Sequence, residues 1–158
     1  AFVEIKVYSE EEMERLGEKL SRIIEKGDLI YLRGELGAGK TTLARGIARG
    51  LGYTGKVTSP TFTLMNIYQA DVDICHCDFY RLGAEDLTDL GLDDYLEREA
   101  VCIVEWPQAG MGVMPAEALL VVIKLCADDY ERERLVAITA CGARYERKLE
   151  EFKAICGY

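Results

Sequence analysis

Residues 34–41 read Gly-Glu-Leu-Gly-Ala-Gly-Lys-Thr and match the pattern G-x-x-x-x-G-K-[ST] at every fixed position. In such a loop, glycines allow positive φ and let the backbone approach phosphate without an intervening Cβ, roles we expect for Gly34, Gly37 and Gly39. The backbone N–H groups then form an anion-binding nest at the start of the next helix. The residues expected to contribute these groups are Glu35, Leu36, Gly37, Ala38 and Gly39.

The residues directly after the glycines supply the charge and the hydroxyls that this kind of loop needs. Lys40 is expected to place its ammonium on the β- and γ-phosphates of a nucleotide, and the Thr41 hydroxyl to bind Mg²⁺. Thr42 follows at a position that reaches toward the α-phosphate. The expected ligands are therefore a nucleoside triphosphate and Mg²⁺.

Strand and helix patterns alternate on both sides of the loop. The apolar run at 29–32 is typical of a buried central strand, and apolar residues at helical spacing predict a helix at 40–51. Further strands are predicted at 2–8, 61–68, 72–77, 101–104, 119–125 and 135–140, and further helices at 10–25, within 84–99 and at 145–155. The order favours one α/β domain over residues 1–158, with the three layers of a P-loop fold. Its mixed sheet should be parallel at the centre and antiparallel at the edges.

Two acidic residues stand where apolar strand patterns end. Asp78 follows the run at 74–77 and Glu105 follows the run at 101–104, and open α/β sheets bind ligands at the carboxyl ends of their strands. Glu105 is favoured as the carboxylate that binds Mg²⁺, and Asp78 as a water-mediated Mg²⁺ ligand or a water-orienting residue, and the two roles can be exchanged.

Thr61 begins a strand after a glycine-rich segment and is a candidate γ-phosphate-sensing hydroxyl, with a plain turn as the alternative.

Composition and charge exclude several classes of protein. The 158 residues include 19 Lys and Arg against 28 Asp and Glu, a net charge of −9, which disfavours direct binding to nucleic acid. No apolar run approaches the roughly 20 residues that a membrane span requires. The six cysteines lie mostly in apolar runs, and Cys75-His76-Cys77 lacks the spacing of a metal site, which favours buried, reduced thiols. We therefore expect a cytoplasmic protein that does not contact membranes.

The identity of the nucleotide follows from a motif that the chain cannot contain. Guanine-specific P-loop proteins use an N-K-x-D element, but the single asparagine, Asn66, is followed by isoleucine, so ATP is favoured. A small-molecule or nucleotide kinase would share the loop, yet such kinases carry an arginine-rich lid, and the arginine-dense stretch at 130–134 is short for one. A nucleotide-gated binding module without turnover is a third hypothesis.

Four motifs occur in order: GELGAGKTT at 34–42, SPTFTL at 59–64, HCDFYR at 76–81 and VEW at 104–106. With them, the chain resembles the TsaE (YjeE) family, P-loop ATPases of tRNA threonylcarbamoyladenosine synthesis, over about residues 9–140. The resemblance implies a cytoplasmic ATPase that acts with TsaD and TsaB. That complex transfers a threonylcarbamoyl group to N6 of adenosine 37 in tRNAs reading ANN codons. The chain itself would reach tRNA only indirectly, through the complex.

The resemblance also implies roles for individual residues. It gives Lys40 and Thr41 the nucleotide and Mg²⁺ roles already inferred from the loop, and it makes Glu105 the Mg²⁺-associated acid and Asp78 the second functional acid. Thr61 matches the switch threonine of the family, and Trp106 matches a tryptophan beside the site.

Contacts to the base are implied at two further places. One lies near Ser9, and the other is an arginine of the late hairpin, for which Arg132 is our choice and Arg134 stays open. The loops offer no obvious arginine finger, although Arg33 and Arg81 are candidate cations within the chain, so ATP hydrolysis should be weak in the isolated chain and stimulated by the partners. Hydrolysis would then reset the complex between cycles.

Overall fold

The computed structural model describes residues 2–35, 37–60, 65–78, 99–106, 117–126 and 133–157, with the backbone but not the side chain of Trp106. Within these residues, seven strands form one sheet, and three helices are present. The strands are β1 (Phe2–Val7), β2 (Leu29–Gly34), β3 (Met65–Gln69), β4 (Asp73–Asp78), β5 (Val101–Trp106), β6 (Ala118–Leu125) and β7 (Arg134–Cys141). The helices are α1 (Glu10–Ser21), α2 (Lys40–Gly50) and α3 (Ala143–Cys156).

The sheet has the strand order β1-β7-β6-β2-β5-β4-β3. β2 pairs in parallel with both β5 and β6, and β4 pairs in parallel with β5. The outer pairs β1–β7, β6–β7 and β3–β4 are antiparallel. All four residues 29–32 are at most 2% exposed, so both faces of the central strand are covered, which explains its unbroken apolar sequence. The predicted α/β class and mixed sheet are confirmed.

Two glycines allow α1 to pack directly on α2. A Cβ on Gly46 would overlap the backbone carbonyl of Glu14, and a Cβ on Gly17 would overlap the carbonyl of Leu43. The apolar stripes of both helices are buried beside this contact, with Leu20 and Leu43 at 0% exposure. This close approach holds the start of α1 near the start of α2.

The last helix is fixed by buried charges at the amino end of β2. Lys148 donates to the Ile23 carbonyl at 2.9 Å and pairs with Asp28 at 3.0 Å, and Arg144 pairs with Asp28 at 2.8 Å. Asp28 is 1% exposed and Lys148 is 8% exposed, so both charges lie in the interior. Burial of such charges is tolerated because each has an opposite partner.

Several boundaries differ from the prediction. The helix predicted at 10–25 ends at Ser21, because the N–H groups of Ile23 and Ile24 bond three residues back and tighten the chain into a turn. β2 continues to Gly34, two residues beyond the apolar run, because Gly34 pairs with Ile123 of β6. The predicted hairpin is present as β3 and β4, while the strand start at 61–64 and nearly all of the helical region at 84–99 lie outside the described residues.

The three described helices are 12, 11 and 14 residues long. None of them combines the length and the hydropathy that a membrane span requires.

Candidate functional site

Two glycines in the loop between β2 and α2 adopt the left-handed conformation typical of anion nests, while the Ala38 N–H, predicted to face an anion, donates to the Glu35 carbonyl at 3.0 Å. Gly37 and Gly39 have φ values of 80° and 113°, in the left-handed region that favours glycine. Gly39 is the N-cap of α2, makes no side-chain cap bond, and is followed by no acidic residue in the first turn. The first N–H groups of α2 and its positive dipole end are therefore offered to an anion rather than to the chain's own side chains.

The role predicted for Gly34 needs a correction. Gly34 is not among the described glycines with positive φ, so it is not required for the turn of the loop. A Cβ at Gly34 would instead lie 2.8 Å from the Ile123 carbonyl oxygen and 3.2 Å from the Cβ of Ala38. Gly34 is needed because β6 and the loop close against the end of β2.

Lys40 lies between the loop and two acidic side chains. Its Nζ donates to the Gly34 carbonyl at 2.6 Å. Burial lowers the pKa of Lys40, while the charges of Glu105 and Asp78 act in the opposite direction. The ammonium is thus close enough to both carboxylates to interact with them electrostatically.

Asp78 and Glu105 lie side by side at the carboxyl ends of β4 and β5, where they are direct partners in the parallel register. Asp78 is 8% exposed and Glu105 is 3% exposed. Both line a cavity of about 210 Å³, which we call the P-loop pocket. Its lining residues are Glu10, Gly37, Gly39, Lys40, Thr41, Thr42, Ser59, Asp78 and Glu105. The structure therefore brings together the lysine, the two threonines and both acids that the sequence singles out.

Glu105 has a buried partner that the sequence motifs do not reveal. Nε2 of His76 lies 2.5 Å from Glu105 Oε2, and Nδ1 of His76 lies 3.1 Å from the Tyr68 hydroxyl. The Tyr68 hydroxyl also donates to the Thr58 carbonyl at 3.3 Å. Strand alternation gives one signal for this contact. His76 lies on the same face of the sheet as Asp78, and Ile103, the register partner of His76, lies on the same face as Glu105.

The cysteines beside His76 face away from this site. The sulfur atoms of Cys75 and Cys77 lie 3.5 Å apart, while the imidazole between them contacts Glu105. All six cysteines are free, and Cys75, Cys77 and Cys102 are buried. The Cys-His-Cys triplet is therefore split between the two faces of the sheet.

The two places expected to contact the base have different surroundings. Ser9 caps α1, since its Oγ accepts from the Glu12 N–H at 3.1 Å, while the Glu12 carboxylate accepts from the Tyr8 N–H at 2.8 Å. The P-loop pocket is lined by the next residue, Glu10, which the sequence motifs do not single out. Nε of Arg134 donates to the Ala38 carbonyl at 3.2 Å, so this arginine reaches the loop itself.

Four sequence-predicted features lie outside what the structure describes. They are Leu36, Thr61, Arg132 and the side chain of Trp106. The segment that leads to Thr61 does reach the P-loop pocket, because Ser59 lines it.

The polar groups of the pocket suit Mg²⁺ held together with phosphate. Within the described residues, no three His, Cys, Asp or Glu side chains form a metal cage. Mg²⁺ rarely uses such a cage and is commonly bound by one or two carboxylates, phosphate oxygens and water. The Thr41 hydroxyl and the carboxylates of Asp78 and Glu105 match that donor set.

Comparison with known proteins identifies the family. The family model described as threonylcarbamoyl adenosine biosynthesis protein TsaE matches residues 7–135. The chain belongs to the TsaE family. It is 43% identical over 142 residues to the tRNA threonylcarbamoyladenosine biosynthesis protein TsaE of Bacillus subtilis, covering 89% of this chain and 87% of that protein. The TsaE protein of Haemophilus influenzae is 42% identical over 137 residues, or 82% and 86% of the two chains.

A solved structure has a similar fold. The crystal structure of Bacillus subtilis YdiB has a TM-score of 0.83 and 35% identity to this chain, and the match covers 98% of this chain and 95% of that one. The TsaE family match spans the P-loop pocket from Glu10 to Glu105 and ends before α3. TsaE membership places the protein in tRNA threonylcarbamoyladenosine biosynthesis.

Proposed function

We propose that this TsaE-family protein binds Mg²⁺–ATP and hydrolyses it in the P-loop pocket. Its partners in this activity would be TsaD and TsaB, which modify adenosine 37 in tRNAs reading ANN codons. The observation that carries the ATPase proposal is the convergence of Lys40, Thr41, Asp78 and Glu105 on one pocket at an uncapped helix start. The involvement of TsaD and TsaB is what the resemblance to the TsaE family implies, and the TsaE name of the matched relatives supports a role in the same pathway.

The chain's own groups account for nucleotide binding. The N–H groups of the loop and of the first turn of α2 bind the phosphate oxygens, and Lys40 exchanges its bond to the Gly34 carbonyl for bonds to the β- and γ-phosphates. The Thr41 hydroxyl and Glu105 would hold Mg²⁺, which would supply positive charge to the β- and γ-phosphates. Asp78, directly beside Glu105, orients water at the same edge of the sheet.

Hydrolysis by the isolated chain should be slow. Nε of Arg134 donates to the Ala38 carbonyl of the loop at 3.2 Å, so this arginine already has a partner in the protein itself. A cation or an ordering contact supplied by a partner can accelerate such a site by roughly 10³–10⁵-fold. We infer that ATP binding holds a docked state and that hydrolysis resets it between rounds of modification.

The charge of the chain supports an indirect relation to tRNA. A net charge of −9 disfavours binding of the chain to the phosphate backbone of a nucleic acid. It would therefore act on the proteins that hold tRNA, and the proposal places this action in the cytoplasm.

The test is ATP hydrolysis with and without purified TsaD and TsaB, comparing wild type with Lys40→Ala and the control Lys26→Ala. Lys26 is exposed and does not line the P-loop pocket. We expect slow release of inorganic phosphate that rises with the partners, is lost in Lys40→Ala and is kept in Lys26→Ala.

Two other results are distinguishable. A phosphorylated acceptor would identify a kinase, and ATP binding without turnover under any condition would identify a binding module. Either result would overturn the proposal.

A further inference from the structure

A fully buried imidazole holds the acid that faces the P-loop pocket. His76 is 0% exposed, and its Nε2 contacts Oε2 of Glu105, itself 3% exposed. A carboxylate has two oxygens on one rigid plane, so a bond to Oε2 also fixes the direction in which the other oxygen points. The orientation of Glu105 in the pocket thus depends on a residue that does not line it.

The imidazole is held at its second nitrogen as well. Nδ1 of His76 lies 3.1 Å from the Tyr68 hydroxyl, and the Tyr68 ring stacks on Tyr53 with ring centroids 4.7 Å apart. Because both ring nitrogens are engaged and the ring is enclosed, the imidazole cannot flip or swing without breaking a buried hydrogen bond.

The same chain of contacts reaches the segment that enters the pocket from the other side. The Thr58 carbonyl accepts from the Tyr68 hydroxyl at 3.3 Å and from Nδ2 of Asn66 at 3.3 Å. Thr58 is followed by Ser59, which lines the P-loop pocket. A continuous path of buried polar contacts, through His76 and Tyr68, therefore joins Glu105 to the backbone beside Ser59.

We propose that His76 is a positioning residue that orients Glu105 toward Mg²⁺, and that Tyr68 links this pair to Thr58 and the Ser59 edge of the pocket. The inference rests on the proposed function, because it assigns Glu105 to Mg²⁺. Groups that hold a metal-binding carboxylate in place commonly affect metal affinity by about 10- to 100-fold when they are removed. If His76 only filled space in the core, its substitution would lower the free energy of unfolding and leave the Mg²⁺ dependence of nucleotide binding unchanged.

Two amide substitutions separate these roles. The amide nitrogen of His76→Gln reaches about as far as Nε2 and can donate to Glu105, whereas the shorter side chain of His76→Asn ends near Nδ1 and reaches only toward Tyr68. Both variants bury one neutral amide, which makes each a control for the other. The readout is calorimetric affinity for ADP at a series of Mg²⁺ concentrations, including none.

The Mg²⁺ midpoint is the Mg²⁺ concentration at which the change in ADP affinity is half complete. We expect His76→Asn to raise this midpoint by about 10- to 100-fold and to leave the affinity for ADP without Mg²⁺ unchanged. His76→Gln should stay close to wild type, and Tyr68→Phe should shift the midpoint in the same direction by less. In a Glu105→Gln background, adding His76→Asn should change the midpoint no further, because His76 acts through Glu105.

Equal Mg²⁺ midpoints for His76→Asn, His76→Gln and wild type would overturn the inference and leave the proposed function standing. If His76→Asn does not fold, the two other variants decide. The inference is overturned if the Mg²⁺ midpoint of ADP binding is unchanged in Tyr68→Phe but strongly shifted in His76→Gln. If the nucleotide affinity of the wild-type chain is the same with and without Mg²⁺, the proposed function itself is overturned.

Discussion

Buried charged side chains lie at both ends of β2, and within the part of the chain that the structure describes, those at the carboxyl end line a pocket while Asp28 at the amino end does not. At the amino end, Asp28 is enclosed by the charges of Lys148 and Arg144. At the carboxyl end, the closest hydrogen bond of Lys40 is to a backbone carbonyl, and Asp78 and Glu105 line a cavity with it.

This difference shows how buried charge can be interpreted. Charges that form ion pairs with one another fix elements together, and at the amino end they join α3 to the turn after α1. Charges directed into a cavity beside an uncapped helix start are arranged for a ligand. Removal of a lysine should therefore affect activity at one end of β2 and stability at the other.

The largest effect is expected at the carboxyl end. Lys40→Ala removes the ammonium that the motif directs at the phosphates, so ATP hydrolysis should fall by about 10³-fold or more. The free energy of unfolding should fall less than in a variant that removes a fully enclosed cation, because Lys40 donates to the Gly34 carbonyl and its attraction to Asp78 and Glu105 acts beside a cavity. Phosphate release and chemical denaturation on the same preparation measure both quantities. Turnover at the wild-type rate would contradict the P-loop assignment.

The opposite outcome is expected for the lysine at the amino end. Lys148→Ala leaves Asp28 buried with one partner fewer, which should lower the free energy of unfolding by about 3 kcal/mol. Hydrolysis per folded molecule should stay at the wild-type value. Glu25→Ala is the matched control, since it removes the exposed partner of the same lysine, and such surface pairs contribute little. If Lys148→Ala is fully folded but hydrolyses ATP more slowly than wild type, the predicted difference between the two ends of β2 is wrong.

The two acids at the carboxyl end should separate binding from hydrolysis. Asp78→Asn and Glu105→Gln keep the shapes of the side chains but remove their charges, so each should reduce hydrolysis on the order of 100-fold. Mg²⁺-free ADP binding should remain, because Lys40 and the backbone N–H groups are unchanged. If both variants hydrolyse ATP normally, the placement of the acids at the reacting phosphates is wrong.

Local patterns explain which parts of this arrangement could be predicted. The loop at 34–41, the strand at 29–32 and the acids at 78 and 105 follow from motifs and apolar runs a few residues long. The position of β1 beside β7 and the contact of His76 with Glu105 depend on segments far apart in the chain, and no local pattern encodes them. The requirement for glycine at position 34 likewise depends on a distant segment, because its neighbour Ile123 lies in β6.

The smallest predicted effect concerns Ser9, at the start of α1 beside the P-loop pocket. Its Oγ accepts from the Glu12 N–H, so Ser9→Ala should lower the free energy of unfolding by about 1 kcal/mol through loss of the helix cap. Ser9→Asn is the control, since asparagine caps helices about as well as serine. We expect ATP affinity to fall slightly in Ser9→Ala and to recover with the cap in Ser9→Asn, because Glu10 lines the pocket only if the first turn of α1 is formed. Recovery of stability without recovery of affinity would instead show that the Ser9 hydroxyl itself contacts the nucleotide, which would extend the site from the carboxyl end of β2 to the cap of α1.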